Sequence, residues 1–266
     1  MIGLEFLRII TNKMSIRICF YKWKALGDFC HCLPVLSGLY KKTGEKIILG
    51  IPLEMKRFRG IVQLLQEQEM FESVYFLYDN PKDGDIIIRY DSGWNSEYTI
   101  VPIGCQVIKK SIPQFDFDID SDFELSVPRY DIDYHEDKFI AGDRWSPLDD
   151  PKLDTRKDWN VIKENIINDK RMIYLNYNNS LLHNCSLIKY NPNPIITTIT
   201  AVPILSELMN KPTVVLWSDK FMKRWGDFSG ETTDSIMQLH HFSNRKVKMV
   251  NFSDFDIEKM DQYFGV

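Results

Sequence analysis

The chain has 266 residues, 44% of them hydrophobic and 26% charged, with a net charge of −4. That length allows one large domain or two of modest size, and the balance excludes a disordered chain and a surface that is basic throughout. No stretch reaches the ~18 consecutive apolar residues of a membrane-spanning helix.

The opening "MIGLEFLRIITNK" is mildly apolar but carries Glu5 and Arg8 and lacks a small-residue cleavage site. It is expected to be an extra N-terminal turn or an upstream start ahead of Met14, and no function is assigned to residues 1–13. "SIRICFYKW" (Ser15–Trp23) is rich in β-branched and aromatic residues and predicts a buried strand. "FCHCLPVLSGLYKKTG" then carries apolar residues at helical spacing and stops at Gly44, a C-cap candidate. "EKIILGIP" predicts a second buried strand ended by Pro52, and "MKRFRGIVQLLQEQEMF" a helix. "SVYFLYD" and "DIIIRYD" predict two more strands. Strand, helix, strand, helix, strand at these lengths is the pattern of a parallel α/β sheet. Gly27 and Asp28 then fall at the carboxyl end of the first strand, where such sheets hold ligands.

From Phe115 to Asp137 the texture changes to "FDFDIDSDFELSVPRYDIDYHED". Alternation of Phe or Ile with Asp suits an edge strand or an interdomain strap; without the loop and glycine of an EF-hand, a solvated linker is expected rather than a calcium site. The α/β pattern then restarts. "DKFIAGDRW" predicts a strand, "TRKDWNVIKENIIND" a helix capped by Asp154 or Thr155, and "KRMIYLNY" a strand. "VPILSELMNK" predicts a short helix, "PTVVLWS" a strand, and "DFDIEKMDQYF" a closing helix. The expected domains are residues 1–115 and 138–266, joined by an acidic linker over 116–137. A cleft between them is the expected ligand site.

Five cysteines (Cys19, Cys30, Cys32, Cys105 and Cys185) are odd in number and irregular in spacing. They predict no disulfide framework and a reducing, cytoplasmic setting. Cys30-His31-Cys32 has no second Cys/His pair nearby to complete a tetrahedral zinc site. His240 and His241 have no triad around them, and neither a dinucleotide fingerprint nor a Walker loop is present.

"LGDFCHCLPVLSGLYKKTGEKIILGIP" resembles the opening of the heptosyltransferases, glycosyltransferase family nine, with Gly27, Asp28, His31 and Pro34 on matching positions. "KDWNVIKENI" resembles the family's Lys-x-Trp segment, through Lys157 and Trp159. "TAVPILSELMNKPTVVLWSDKFMKRWGDF" is similar to its donor-site helix, Pro-led strand and Trp-Gly. The resemblance runs from Ile16 to Phe228 in order. The family's Asp-Thr/Ser-Gly-Pro-x-His donor motif falls here on Ile199, Thr200, Ala201, Val202, Pro203 and Ile204, so its acid and histidine are replaced. The C-terminal half has room for fewer strands than the family's.

The resemblance implies two Rossmann-like domains facing across a cleft, the GT-B arrangement. It also implies inverting transfer of a sugar from a nucleotide-sugar donor to an acceptor hydroxyl, with neither metal nor cofactor required. Such chemistry needs a base for the hydroxyl proton and a stabiliser for the departing diphosphate. By resemblance the base is Asp28; by residue type alone, Asp28 reads first as a helix N-cap. Lys157, with Arg156 and Arg144 nearby, is the candidate cation for the diphosphate. The amides of Thr200 and Ala201 are a candidate phosphate cradle, against an ordinary threonine cap. Lys22, Lys24, Gly27 and His31 are acceptor-side candidates, His31 against the reading of a satisfied, half-buried histidine. A saccharide of lipopolysaccharide type is the family's acceptor. A hydroxymethylated pyrimidine in DNA is the alternative, and a non-catalytic nucleotide-sugar or glycan binding module is a third reading.

Overall fold

In a computed structural model, the described residues are 15–21, 26–89, 118–142, 168–198, 200–217, 246–251 and 253–264. Two parallel sheets organise them. The first has β1 (Ile16–Tyr21), β2 (Ile47–Pro52), β3 (Phe71–Leu77) and β4 (Ile86–Arg89) in the order β3-β2-β1-β4. The second has β5 (Phe139–Gly142), β6 (Met172–Tyr174), β7 (Ile195–Thr198), β8 (Thr213–Trp217) and β9 (Val247–Asn251) in the order β6-β5-β7-β8-β9. Every pairing between these strands is parallel. The apolar run of β2 suits a central parallel strand covered on both faces. This is the α/β architecture that the strand–helix alternation predicts.

The helices differ more from expectation. The segment expected as one helix over 29–44 is two, α1 (Leu26–Cys30) and α2 (Leu33–Thr43). Pro34 sits in the first turn of α2, where its missing N–H costs nothing, so the proline begins a new helix instead of continuing the old one. α2 ends as predicted at Gly44, left-handed at φ 69°, whose N–H donates to the Tyr40 carbonyl. The helix expected over 55–71 is a 3-10 turn (Leu53–Arg57) and then α3 (Ile61–Gln66). Gly60, at φ 85°, breaks the run between them.

In the second half, α4 (Leu181–Tyr190) and α5 (Ala201–Leu208) lie over one face of the sheet, and α6 (Met260–Phe264) over the other. The helix expected over 155–169 lies almost wholly outside the described residues. α4, β7 and β9 were not foreseen. α5 buries Val202, Ile204, Leu205 and Leu208. Each such burial is worth about 1.5–3 kcal/mol, and Leu208→Ala is a cavity mutation of about 2–5 kcal/mol.

One hydrophobic core runs through both halves. It joins Ile18, Phe20 and Leu49 of the first sheet to Phe29, Leu36, Leu64 and Leu65 of its helices. It then continues into Leu182, Ile188 and Leu205 and reaches Ile140 and Ile195 of the second sheet. The acidic stretch is part of this core: Phe123, Leu125, Val127 and Tyr134 are buried in it. The solvated-linker expectation is corrected here. The carboxylates alternate with apolar residues, and the apolar set faces inward.

Candidate active site at the meeting of two sheet edges

The first sheet's strand order reverses between β1 and β4, and the second's between β5 and β7. Crevices at such reversals, outside the carboxyl ends of the strands, are where open α/β sheets bind ligands. The chain leaves the first reversal into α1 and the second into α5. These two helix starts touch: a Cβ on Gly27 would lie 2.8 Å from Ile204 Cδ1 and 3.5 Å from Ala201 Cα. Glycine is therefore what permits the close approach. Two positions singled out in the sequence from separate halves, Gly27 and Ala201, are neighbours in space.

Asp28 is the third residue of α1, inside the helix, so it is not the residue that starts it. The N-cap alternative is thereby corrected. The first turn of a helix favours a negative charge. The Asp28 side chain lies outside what the structure describes. His31 is 2% exposed, in the turn between α1 and α2, and its N–H donates to the Gly27 carbonyl. That is the buried alternative to an acceptor contact. Among the described residues, no group of three His, Cys, Asp or Glu is placed to hold a metal.

At the start of α5, the Thr200 hydroxyl accepts from the Val202 N–H at 3.3 Å, the ordinary cap. Pro203, the third helical residue, has no N–H to give. Of the first three amides of α5, only that of Ala201 escapes both the cap and the proline. The cradle that a phosphate finds at many helix starts is thus reduced to about one donor here. Lys22, Lys24, Arg144, Arg156 and Lys157 lie outside the described residues.

A second contact joins the same two edges. The loop after β2 carries Lys56, Arg57 and Arg59, and the loop after β6 carries Asn176 to Ser180. The Leu181 N–H donates to the Arg59 carbonyl at 2.5 Å, and Arg59 Nη1 donates to the Asn178 carbonyl at 3.1 Å. A Cβ on Gly60 would sit 3.1 Å from Ser180 Cβ, again a glycine at a close approach. At the second reversal, the Tyr177 hydroxyl lies 3.2 Å from where a Cβ on Gly142 would be. Sequence reasoning missed Arg57, Arg59 and Tyr177. The available signal was a run of cations directly after a strand stopped by proline.

The carboxylates with displaced pKa values lie elsewhere. Burial alone would raise Asp85, but the Lys82 N–H, the Cys19 thiol and the Arg17 guanidinium together hold it below the usual carboxylate range. Arg17 Nε is 2.8 Å from Asp85 Oδ1, at the amino edge of the first sheet and away from α1. Asp169 is lowered by its hydrogen bond from Arg171, which also reaches Glu258 at 2.9 Å and ties the 3-10 turn before α6 to the start of β6. These pairs are structural.

No family model and no curated protein matches the chain. Solved structures do. A family nine glycosyl transferase from Veillonella parvula DSM 2008 superposes with a TM-score of 0.55 at 9% identity, over 89% of this chain and 86% of the other. The E. coli heptosyltransferase WaaC with ADP gives 0.52 at 12% identity, over 94% and 99%. The chain has the heptosyltransferase fold. E. coli ADP-heptose lps heptosyltransferase II gives 0.50 at 11% identity, over 94% and 98%. Such coverage extends the heptosyltransferase fold across both sheets in the GT-B arrangement, as the sequence resemblance implies. No described helix is long and apolar enough to cross a membrane.

Proposed function

We propose that the protein is a glycosyltransferase that moves a sugar from a nucleotide-sugar donor to an acceptor hydroxyl with inversion. The observation that carries this reading is the apposition of the two helix starts, at Gly27 and Ala201, each leaving the reversal point of its own sheet. An acceptor held by the first edge and a donor held by the second would meet there. Asp28 takes the proton from the acceptor hydroxyl as that oxygen attacks the anomeric carbon. The bond to the diphosphate breaks on the opposite face, and its electron pair leaves with the nucleotide.

With the start of α5 stripped of amides, this reading puts the growing negative charge mainly on side chains. Lys157 is the principal cation, with Arg156 and Arg144 beside it in sequence, and the Ala201 amide adds one donor. Lys22 and Lys24 serve the acceptor side. The fold likeness to a heptosyltransferase with ADP supports a nucleotide-linked donor. A panel of ADP-, UDP- and GDP-sugars, assayed for hydrolysis and transfer with the parent protein and with Asp28→Asn, tests the proposal. Turnover of at least one donor, lost in the variant, is expected. No turnover by the parent on any donor would leave a binding module in its place.

A further inference from the structure

We propose that residues 118–138 act as an internal clasp that makes the two sheet-and-helix halves a single cooperatively unfolding body. The clasp holds whether or not the chain transfers a sugar.

Its first part grips the first half. The Asp120 N–H donates to the Pro34 carbonyl at 3.0 Å, and the Asp120 carboxylate accepts from Ser37 Oγ at 2.5 Å and from Lys41 Nζ at 2.8 Å. A Cβ on Gly38 would overlap the Asp118 carbonyl oxygen outright, so the clasp segment lies directly on the α2 backbone. Its last part grips the second half. Tyr190 donates to the Val127 carbonyl at 2.7 Å and Ser186 to the Pro128 carbonyl at 2.9 Å. Asn191 Nδ2, at the end of α4, is within hydrogen-bonding distance of the Tyr134, His135 and Lys138 carbonyls.

The pin is the pair Leu125–Ser126. Leu125 belongs to the second half: its N–H donates to the Leu208 carbonyl at the end of α5, and its carbonyl accepts from Lys189 Nζ. Ser126 belongs to the first half: its N–H donates to Gln68 Oε1 at 2.8 Å, and its carbonyl accepts from Gln68 Nε2 at 2.9 Å. Gln68 is 3% exposed, just past α3, and its amide takes the place of a neighbouring strand. Two adjacent residues thus send their backbone groups in opposite directions. The halves cannot part without stranding polar groups beside buried Leu125 and Val127. The contacts at Gly27 and Gly60 also join the two halves.

Hydrogen exchange read by mass spectrometry on the full chain tests this, in the parent and in Gln68→Met and Asp120→Asn. In the parent, the slowest amides of β1–β3 and of β5, β7 and β8 should share one opening constant, within about threefold. In Gln68→Met the two sets should separate by about tenfold or more, as the unpaired Ser126 groups favour opening of the seam. Asp120→Asn, milder because Lys41 is exposed, should separate them in the same sense by a smaller factor. Two unequal constants in the parent would overturn the clasp. So would variants in which both halves weaken equally. Should Gln68→Met fail to fold, the parent and Asp120→Asn decide the question.

Discussion

The two helix starts that meet at Gly27 and Ala201 are built on different plans. The β1–α1 side is open in its chemistry: Gly27 removes bulk, and an aspartate follows inside the first turn. The β7–α5 side is closed: a threonine caps one amide and a proline deletes another. An edge that has spent its own amides must rely on cations brought from elsewhere to hold a phosphate. Under the proposed function, the contrast would separate positioning, carried by the backbone on one side, from charge, carried by side chains on the other.

Asp28→Asn should break the contrast most severely, lowering turnover by about 10²–10⁴-fold as expected for loss of a general base. Thermal stability should be nearly unchanged, which a melting curve checks beside the steady-state assay. Lys157→Ala should raise the donor KM by about tenfold to a hundredfold, the worth of a charge-assisted contact. Gly27→Val drives a side chain into Ile204 and should cost about 1–3 kcal/mol by urea denaturation, with turnover falling because the two edges are pushed apart. The smallest change should sharpen the picture: Pro203→Ala returns an amide to α5 and should lower the donor KM about two- to threefold. An unchanged KM there would place the phosphate away from α5.

The clasp has its own pH signature. Burial works against the charged Asp120, but the hydrogen bonds from Lys41 and Ser37 outweigh it, and its carboxyl is held below the usual range. A carboxyl with a depressed folded pKa contributes stability above its unfolded value of about 4 and loses it as pH falls through the folded one. The parent should therefore exceed Asp120→Asn in urea midpoint at pH 7, and the difference should shrink below about pH 4. A difference that does not shrink on acidification would remove Asp120 from this role.

Much of the fold was legible because parallel strands announce themselves. β1, β2 and β3 are runs of Ile, Phe, Tyr and Val between turn residues, and their order implied the parallel sheet. α4 was missed because its buried face includes Asn184 and Ser186, polar residues that break the apolar period, yet both are fully buried. β7 is four residues long, and β9 is five with Lys248 and Asn251 among its apolar residues, so both resemble connecting segments. The acidic stretch misled because composition was weighed over alternation: Phe123, Leu125 and Val127 recur at every second position and point inward. At the site, Gly27 and Asp28 were placed from the end of the first strand, and Thr200 and Ala201 from the start of the short helix and the family resemblance; the structure brings Gly27 and Ala201 together. Arg59 and Tyr177 were not, because their roles depend on which loops of distant segments face one another.

The placement of Gln68 and Ser126 constrains how the chain is made. A nascent polypeptide that has emerged only as far as Arg89 has its first sheet but none of the segment that covers α2 and α3. That sheet waits, partly uncovered, for residues still inside the ribosome. Dividing the gene between the two sheets would therefore yield fragments that each expose a raw apolar flank, and neither would be a portable module.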